Sequence, residues 1–499
     1  MKRKSVKTKV KKAAPGRKEK PLKIAFAAAE AAPFVKTGGL ADVAGSLPKG
    51  LAAQGCEVVT IIPLYGSINR DELATTDLEF RVSVGNHSYM VTVFIGNFDE
   101  STPVYFIHNE ELFARPNPYG DQNGDYPDND KRFIFFNLAV LELLRRLKFK
   151  ADIIHVNDWH LGLVPVLLKN LPKKDFLSGT RSVLSLHNLA YQGLFPAESF
   201  SLTGLPEKLF SADGVEMHGR LTLLKSGILF ADGLVAVSPT YAKEILAPEL
   251  GFGLEKVLQK RKKNLIGILN GIDTDEWNPK TDIYLPYDYD SADLSGKSKC
   301  RGELLKLAGL KDKDGRPVVA IVSRLIEQKG FDLVVQAAEE MMKLDIYLAV
   351  LGTGQKKYED FFKNLMTRHP DRVFVHIGYD NKLAHLMEAG SDMFLMPSLF
   401  EPCGLNQMFS MLYGTPPIVR ATGGLKDSVE DWKPATKKGT GFVFAGRDSA
   451  SLLSAVKRAL KTFKSKKDWA KLVQNGMRRD FSWEASAKRY REFYKKILS

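Results

Sequence analysis

Cysteine is scarce in this chain: Cys56, Cys300 and Cys403 are the three in 499 residues. They lie far apart, form no metal-ligand spacing and build no disulfide framework, which fits a reducing, cytoplasmic compartment. Long apolar runs are lacking as well. No stretch approaches the about eighteen consecutive apolar residues of a membrane-spanning helix, so no span is expected. The first 20 residues, MKRKSVKTKVKKAAPGRKEK, contain no aromatic residue and no apolar segment of the secretory kind. They are also Lys-rich rather than Arg- and Ser-rich, which argues against a transit peptide. Beyond that segment there is no low-complexity stretch and no short-period repeat.

The net charge of +14 invites a nucleic-acid reading until it is located. Residues 1–20 hold ten Lys/Arg and one Glu, hence +9, and leave +5 for the other 479. The body is therefore not notably basic, and neither nucleic acid nor membrane is expected as its partner. A block so charged, with so little to bury, is expected to stay solvated and disordered. A non-specific anchor to polyanions is the alternative.

What is present is a βα alternation. LKIAFAAAE reads as a buried strand, KTGGLADVAGSLPKGLAAQG as a Gly-rich turn leading into a helix, and CEVVTIIPLY as the next strand. ADIIHVND, TRSVLSLHN and ADGLVAVS continue the series. A second series runs through RPVVAIVSRL, IYLAVLG, RVFVHIGY, DMFLMPS and TPPIVRA. At this length one hydrophobic core is too few. The expectation is an α/β protein of two doubly wound Rossmann-like domains, residues 21–277 and 316–478, joined by a weakly periodic linker at 278–315.

Ligands in such sheets bind beyond the carboxyl ends of the strands, so polar residues there are the candidates. Lys36, Gly38 and Gly39 form a turn where backbone N–H groups and a cation can meet an anion. This turn is neither GxGxxG nor a Walker loop. Arg324 and Lys329 can clamp a diphosphate leaving group. Gly352 and Gly354, and then Thr422, Gly423 and Gly424, offer two more turns of close backbone approach. Glu401, after DMFLMPS, can bond sugar hydroxyls or stabilise a cationic sugar transition state, or simply complement a helix dipole. Asp158 and His187 end strands of the first half. DxD triplets occur at 273–275, 288–290 and 312–314, but the cations near the presumed phosphates make a metal unnecessary, and no metal or other cofactor is expected.

KTGGLADV, HVNDWH, HNLAYQG, VSPTYAKEI, GILNGIDTDEWNP, SRLIEQKG and PSLFEPCGLNQM closely resemble the bacterial glycogen synthases and plant starch synthases over roughly residues 22–498. The resemblance implies a GT-B fold and metal-free, retaining transfer from ADP-glucose to an α-1,4-glucan such as glycogen. It implies that Lys36 binds the donor with Gly38, Gly39 and Asp42 nearby. It places Asp158, His187 and Asn270 at the glucose, Arg324 and Lys329 on the diphosphate, Tyr379 near adenine, and Glu401 and Cys403 at the substrate. The amphipathic segment at 479–499 would cross back to the first domain. There are departures: Asn406 stands where some relatives carry Thr or Ile, and Phe409 where related retaining transferases carry a second Glu. Starch synthases also lack that second acid, so Glu401 is not half of a carboxylate pair. Two alternatives remain at this level, a transferase using another sugar nucleotide such as UDP-glucose and a catalytically silent glucan-binding protein.

Overall fold

The computed structural model of the protein describes residues 20–313 and 315–499. Residues 1–19, and with them the expectation of a solvated tail, lie outside the described residues, as does the last residue of the 312–314 triplet.

The first half is built on a nine-stranded sheet. Its order is Leu265–Gly267, Gly233–Ala236, Arg181–Leu186, Ile153–Asn157, Lys23–Ala27, Glu57–Pro63, Pro103–His108, His87–Asn97 and Ala74–Val84. The run KIAFA sits in the middle because it can be covered on both faces: Ile24 to Ala27 are fully buried and pair in parallel with strands on either side. The last three strands in that order pair antiparallel. That part was not foreseen as sheet. Its signal is the alternation at Phe80, Val82 and Val84, buried between exposed neighbours, which is the mark of a sheet with one wet face.

The second half carries a six-stranded, wholly parallel sheet: Val373–Ile377, Tyr347–Gly352, Val318–Val322, Met393–Met396, Pro417–Arg420 and Phe442–Phe444. Helices pack on both sheets, as parallel pairing requires. The stretch read as a linker differs from a simple tether. Ser295–Leu307 is a helix that buries Cys300, Leu304 and Leu305 in the second half. Its charged surface, with few apolar positions, hid the period.

Two chain segments run side by side between the halves. Ile272 N–H donates to Phe481 O at 2.8 Å, and Ile272 bridges Ser482. Just after the first crossing, Trp277 is sandwiched between the rings of His385 and Phe409, at 3.8 Å to each. After the second crossing, the helix Trp483–Leu498 lies on the first half. Tyr494 Oη meets His155 Nδ1 at 2.5 Å, and a Cβ on Gly50 would come within 3.0 Å of Ala487 Cβ. The last helix and the first, Gly39–Ala53, therefore pack backbone to backbone.

Candidate active site

The carboxyl ends of both sheets point at the seam between the halves. On the first half, Asp158 ends the strand Ile153–Asn157 with a positive φ of 53°, a conformation that costs energy in a non-glycine residue. Its Oδ1 accepts from His187 N–H at 2.7 Å. Burial pushes the Asp158 carboxyl up to about 7, against the pull of the His187 and Asn188 N–H bonds. Asn157 Nδ2 donates to Ala27 O at 2.9 Å, so its Oδ1 is the acceptor for His187 Nε2–H, also at 2.9 Å. That fixes the tautomer and leaves His187 Nδ1 a lone-pair acceptor. Burial holds the imidazole down at about 4, so it is neutral at physiological pH.

Lys36 is half exposed and its Nζ donates to Asp42 Oδ1 at 2.6 Å. Burial lowers the Lys36 pKa, but the carboxylates of Asp42 and Glu276 and the phenol of Tyr379 outweigh it and raise the balance. Tyr379 belongs to the second half, so the two halves approach each other here. Gly38 caps the helix Gly39–Ala53 in extended conformation, and a Cβ on Gly39 would touch nothing within 4 Å. Behind this turn is a residue that the sequence reading passed over. Glu30 is 2% exposed and accepts from Thr37 N–H at 2.6 Å and Thr37 Oγ1 at 2.5 Å. Burial pushes its carboxyl up to about 7. Glu30 closes the run LKIAFAAAE, so the rule applied to the other strand ends also reaches it.

On the second half, Glu401 is 6% exposed, and its Oε2 accepts from Lys329 Nζ at 2.7 Å and Ser398 Oγ at 2.9 Å. Arg324, on the strand-end loop of Lys329, is exposed and has no side-chain partner among the described residues. The two cations expected to act as equals are thus unlike: Lys329 is held by Glu401 and Arg324 is open. Tyr379 is 82% exposed, with its ring free and its Oη on Asn381 at 3.2 Å. Cys403 is buried and receives the Asn270 N–H, and burial pushes its thiol up to about 12, so it is no nucleophile. Asn270 is itself 5% exposed, and its Oδ1 has no hydrogen-bond partner among the described residues.

Two of the expected ligand turns are filled by the protein. A Cβ on Gly352 would lie 1.9 Å from Ser323 O and one on Gly354 2.4 Å from Leu325 O. These glycines thus let the loop close on the Arg324 segment. Gly354 N–H is taken by Glu359 Oε1 at 2.9 Å. Thr422 Oγ1 and Gly423 N–H donate to the Glu244 carboxylate of the first half, at 3.0 and 3.1 Å. Gly424 N–H goes to Glu401 O at 3.0 Å. Gly354, Thr422, Gly423 and Gly424, expected at the donor, also brace the loops that carry Arg324 and Glu401. Glu244 lies in the VSPTYAKEI motif, but its partners, 178 and 179 positions away, are not marked by any local pattern.

Beside Lys36 and Asp42, a crevice of about 290 Å³ runs between the halves, lined by Asp42, Lys49, Phe98, Glu276, Trp277 and Phe409 among others. A buried carboxylate on Lys329, an exposed Arg324 and a neutral imidazole stand at strand ends outside that crevice.

The chain resembles known proteins over most of its length. Residues 23–260 match the family described as starch synthase catalytic domain, and residues 306–476 match glycosyl transferases group 1. The chain is 45% identical over 480 residues to a glycogen synthase of Anaeromyxobacter sp. (strain Fw109-5), covering 96% of this chain and 100% of the relative. The chain belongs to the glycogen and starch synthase family. A glycogen synthase of Myxococcus xanthus is 44% identical over 483 residues, 96% of this chain and all of that one. Among solved structures, the catalytic domain of starch synthase IV from Arabidopsis thaliana, bound to ADP and acarbose, superposes with a TM-score of 0.88 at 36% identity, covering 96% of this chain and 100% of that one. Sucrose-phosphate synthase from Thermosynechococcus elongatus, at 18% identity and a TM-score of 0.61, shares the fold alone. The enzyme is thus a glycosyltransferase with the GT-B architecture that the βα alternation and the resemblance led one to expect.

Proposed function

We propose that this enzyme transfers glucose from ADP-glucose, with retention, to the non-reducing 4-hydroxyl of an α-1,4-glucan such as glycogen. The observation that carries the reading is the buried Glu401 carboxylate with Lys329 on it at 2.7 Å, Lys329 sharing its strand-end loop with an exposed Arg324. As the glycosidic bond breaks, negative charge grows on the departing diphosphate. Preorganised cations aimed at that charge stabilise the transition state more than the ground state. Lys329 is shared between leaving group and carboxylate, while Arg324 supplies a fork of donors with no other partner. With Lys36 across the cleft, three cations meet the diphosphate and no metal is required.

On the sugar side, Glu401 faces a developing positive charge. His187, neutral, accepts a sugar hydroxyl at Nδ1, and Asp158, with its carboxyl near 7, can accept or donate. Phe409 occupies the place of a second acid and lies flat on Trp277, interplanar angle 7°. A lone carboxylate favours an ion-pair route in which the acceptor attacks from the face the diphosphate leaves. Tyr379 offers its open ring to the adenine, with Asp42, Asn270 and Cys403 lining the donor path. The three free, buried cysteines suit a cytoplasmic setting, and among the described residues no helix is long and apolar enough to cross a membrane. The test is ADP release from ADP-glucose with glycogen, run against UDP-glucose. A markedly higher specificity constant for ADP-glucose is expected. Equal constants for the two donors overturn the donor assignment, and no turnover with either overturns the function.

A further inference from the structure

The turn that carries Glu401 is held from behind by the other half of the molecule. Ser238 Oγ donates to Pro402 O at 2.6 Å. Thr240 N–H and Oγ1 donate to Asp427 at 2.6 and 2.7 Å. The Glu244 carboxylate accepts from Thr422 Oγ1 and from Gly423 N–H. Ser238, Thr240 and Glu244 all belong to the helix Pro239–Glu244 and its cap, which follow the strand Gly233–Ala236 of the first half. The residues they hold lie against the Glu401 turn without a gap. A Cβ on Gly423 would fall 1.9 Å from Glu401 O, and one on Gly424 2.0 Å from Cys403 O. Gly423 has φ 41°, so its conformation as well as its size is special. Any shift of Glu244 is therefore passed to residues 401–404 by contact, with no soft layer between.

We infer that Glu244 and Asp427 are positioning residues, which fix the Glu401 turn across the domain seam and so set the Glu401 carboxylate for transfer. The inference rests on the reading that Glu401 acts at the donor sugar. It also gives closure of the two halves a chemical meaning, because the carboxylate reaches its working place only when the helix Pro239–Glu244 is seated on the Thr422–Gly423 turn.

Two readouts separate positioning from bulk stability. The first is steady-state turnover of the full-length enzyme with ADP-glucose and glycogen for Glu244→Ala, Glu244→Gln and Asp427→Asn. The second is the rate at which Cys403, buried in the same turn, is labelled by a thiol reagent, with Cys403→Ser as the control for Cys56 and Cys300. Misplacing a reacting group by about an ångström costs on the order of 10²-fold. Glu244→Ala is expected to lower kcat by that order, with donor KM within about threefold, and to speed Cys403 labelling about tenfold or more. Glu244→Gln, of the same size, should fold as the wild type and fall between. A kcat within twofold of wild type in Glu244→Ala and Glu244→Gln overturns the inference, whatever the labelling shows. So does a fall in kcat that only tracks loss of folded protein by near-UV dichroism. A wild type without turnover overturns the function itself, which is a different result.

Discussion

Arg324 and Lys329 are five positions apart, yet their surroundings are unequal, and their substitutions should separate accordingly. Each change to Ala removes a preorganised donor from the leaving group, so kcat should fall on the order of 10²–10³ in both. Arg324→Lys should stay impaired, because a point charge does not replace a fork of donors. Lys329→Ala has a further consequence. It leaves Glu401, 7% exposed at its side chain, without its cation. Breaking a buried pair costs about 3–5 kcal/mol, and this one should fall at or below the low end because Ser398 still donates. Thermal unfolding should therefore shift clearly for Lys329→Ala and hardly for Arg324→Ala; equal shifts contradict the geometry. A second residue-scale expectation concerns pH. Glu30 and Asp158 have folded-state carboxyls raised to about 7, so between about pH 4 and 7 the folded state holds protons that the unfolded state has lost. Stability then falls as pH rises through that window. Glu30→Gln keeps the Thr37 bonds and removes the titration, so it should gain stability over wild type at pH 8 and not at pH 4.5, by denaturant midpoint at the two pH values. Arg324, Lys329 and Glu401 could be singled out in the sequence because each lies in a loop beyond the carboxyl end of a strand. The seam contact of Glu244 was not legible, although the residue lies in VSPTYAKEI, because nothing in the local pattern marks a partner nearly 180 residues on.

The glycine turns make the element-scale case, since the sequence treated them alike and the structure does not. Gly39 opens the first helix with free space where its side chain would be, whereas Gly352 has Ser323 O 1.9 Å from that position. Gly39→Ala should fold normally and gain a few tenths to about 1 kcal/mol from helix propensity. If the donor phosphate approaches that backbone, its KM should nonetheless rise severalfold. Gly352→Ala should instead lower the melting temperature and displace the Arg324 loop, with turnover falling together with stability. A melting temperature unchanged in Gly352→Ala, read by calorimetry, counts against the packing role. The parallel strands were legible because burial on both faces makes them continuous apolar runs. The antiparallel edge was less so, because Thr76, Asp77 and Glu79 interrupt its first strand just where pairing shifts register. The helix Ser295–Leu307 escaped notice because its buried face is short and its remaining residues are mostly polar and charged.

At the scale of the molecule, the two crossings at Ile272 and Phe481–Ser482 lie side by side between the halves, close to the Trp277 stack. Deleting residues 1–20 should leave turnover on soluble glycogen unchanged, since every site residue lies beyond Pro21; a loss greater than tenfold in folded protein contradicts this. Truncation before Trp483 should do the opposite and leave soluble yield and calorimetric unfolding of the first half badly degraded, because Tyr490, Phe493 and Tyr494 are buried there. The division into two α/β halves was legible because their βα series are separated by a change in composition. The seam was not, because it is made of contacts between those series.

The helix Trp483–Leu498 also carries a consequence for how the chain is made. A ribosome delivers it only after the whole second half has emerged, yet it completes the first. During synthesis the faces of Gly39–Ala53 and of the strand around His155 remain uncovered, an apolar groove waiting for aromatic rings hundreds of codons downstream. The half that is translated first is therefore the half that finishes last, and stalled nascent chains ending near residue 480 should hold chaperones that released full-length chains shed.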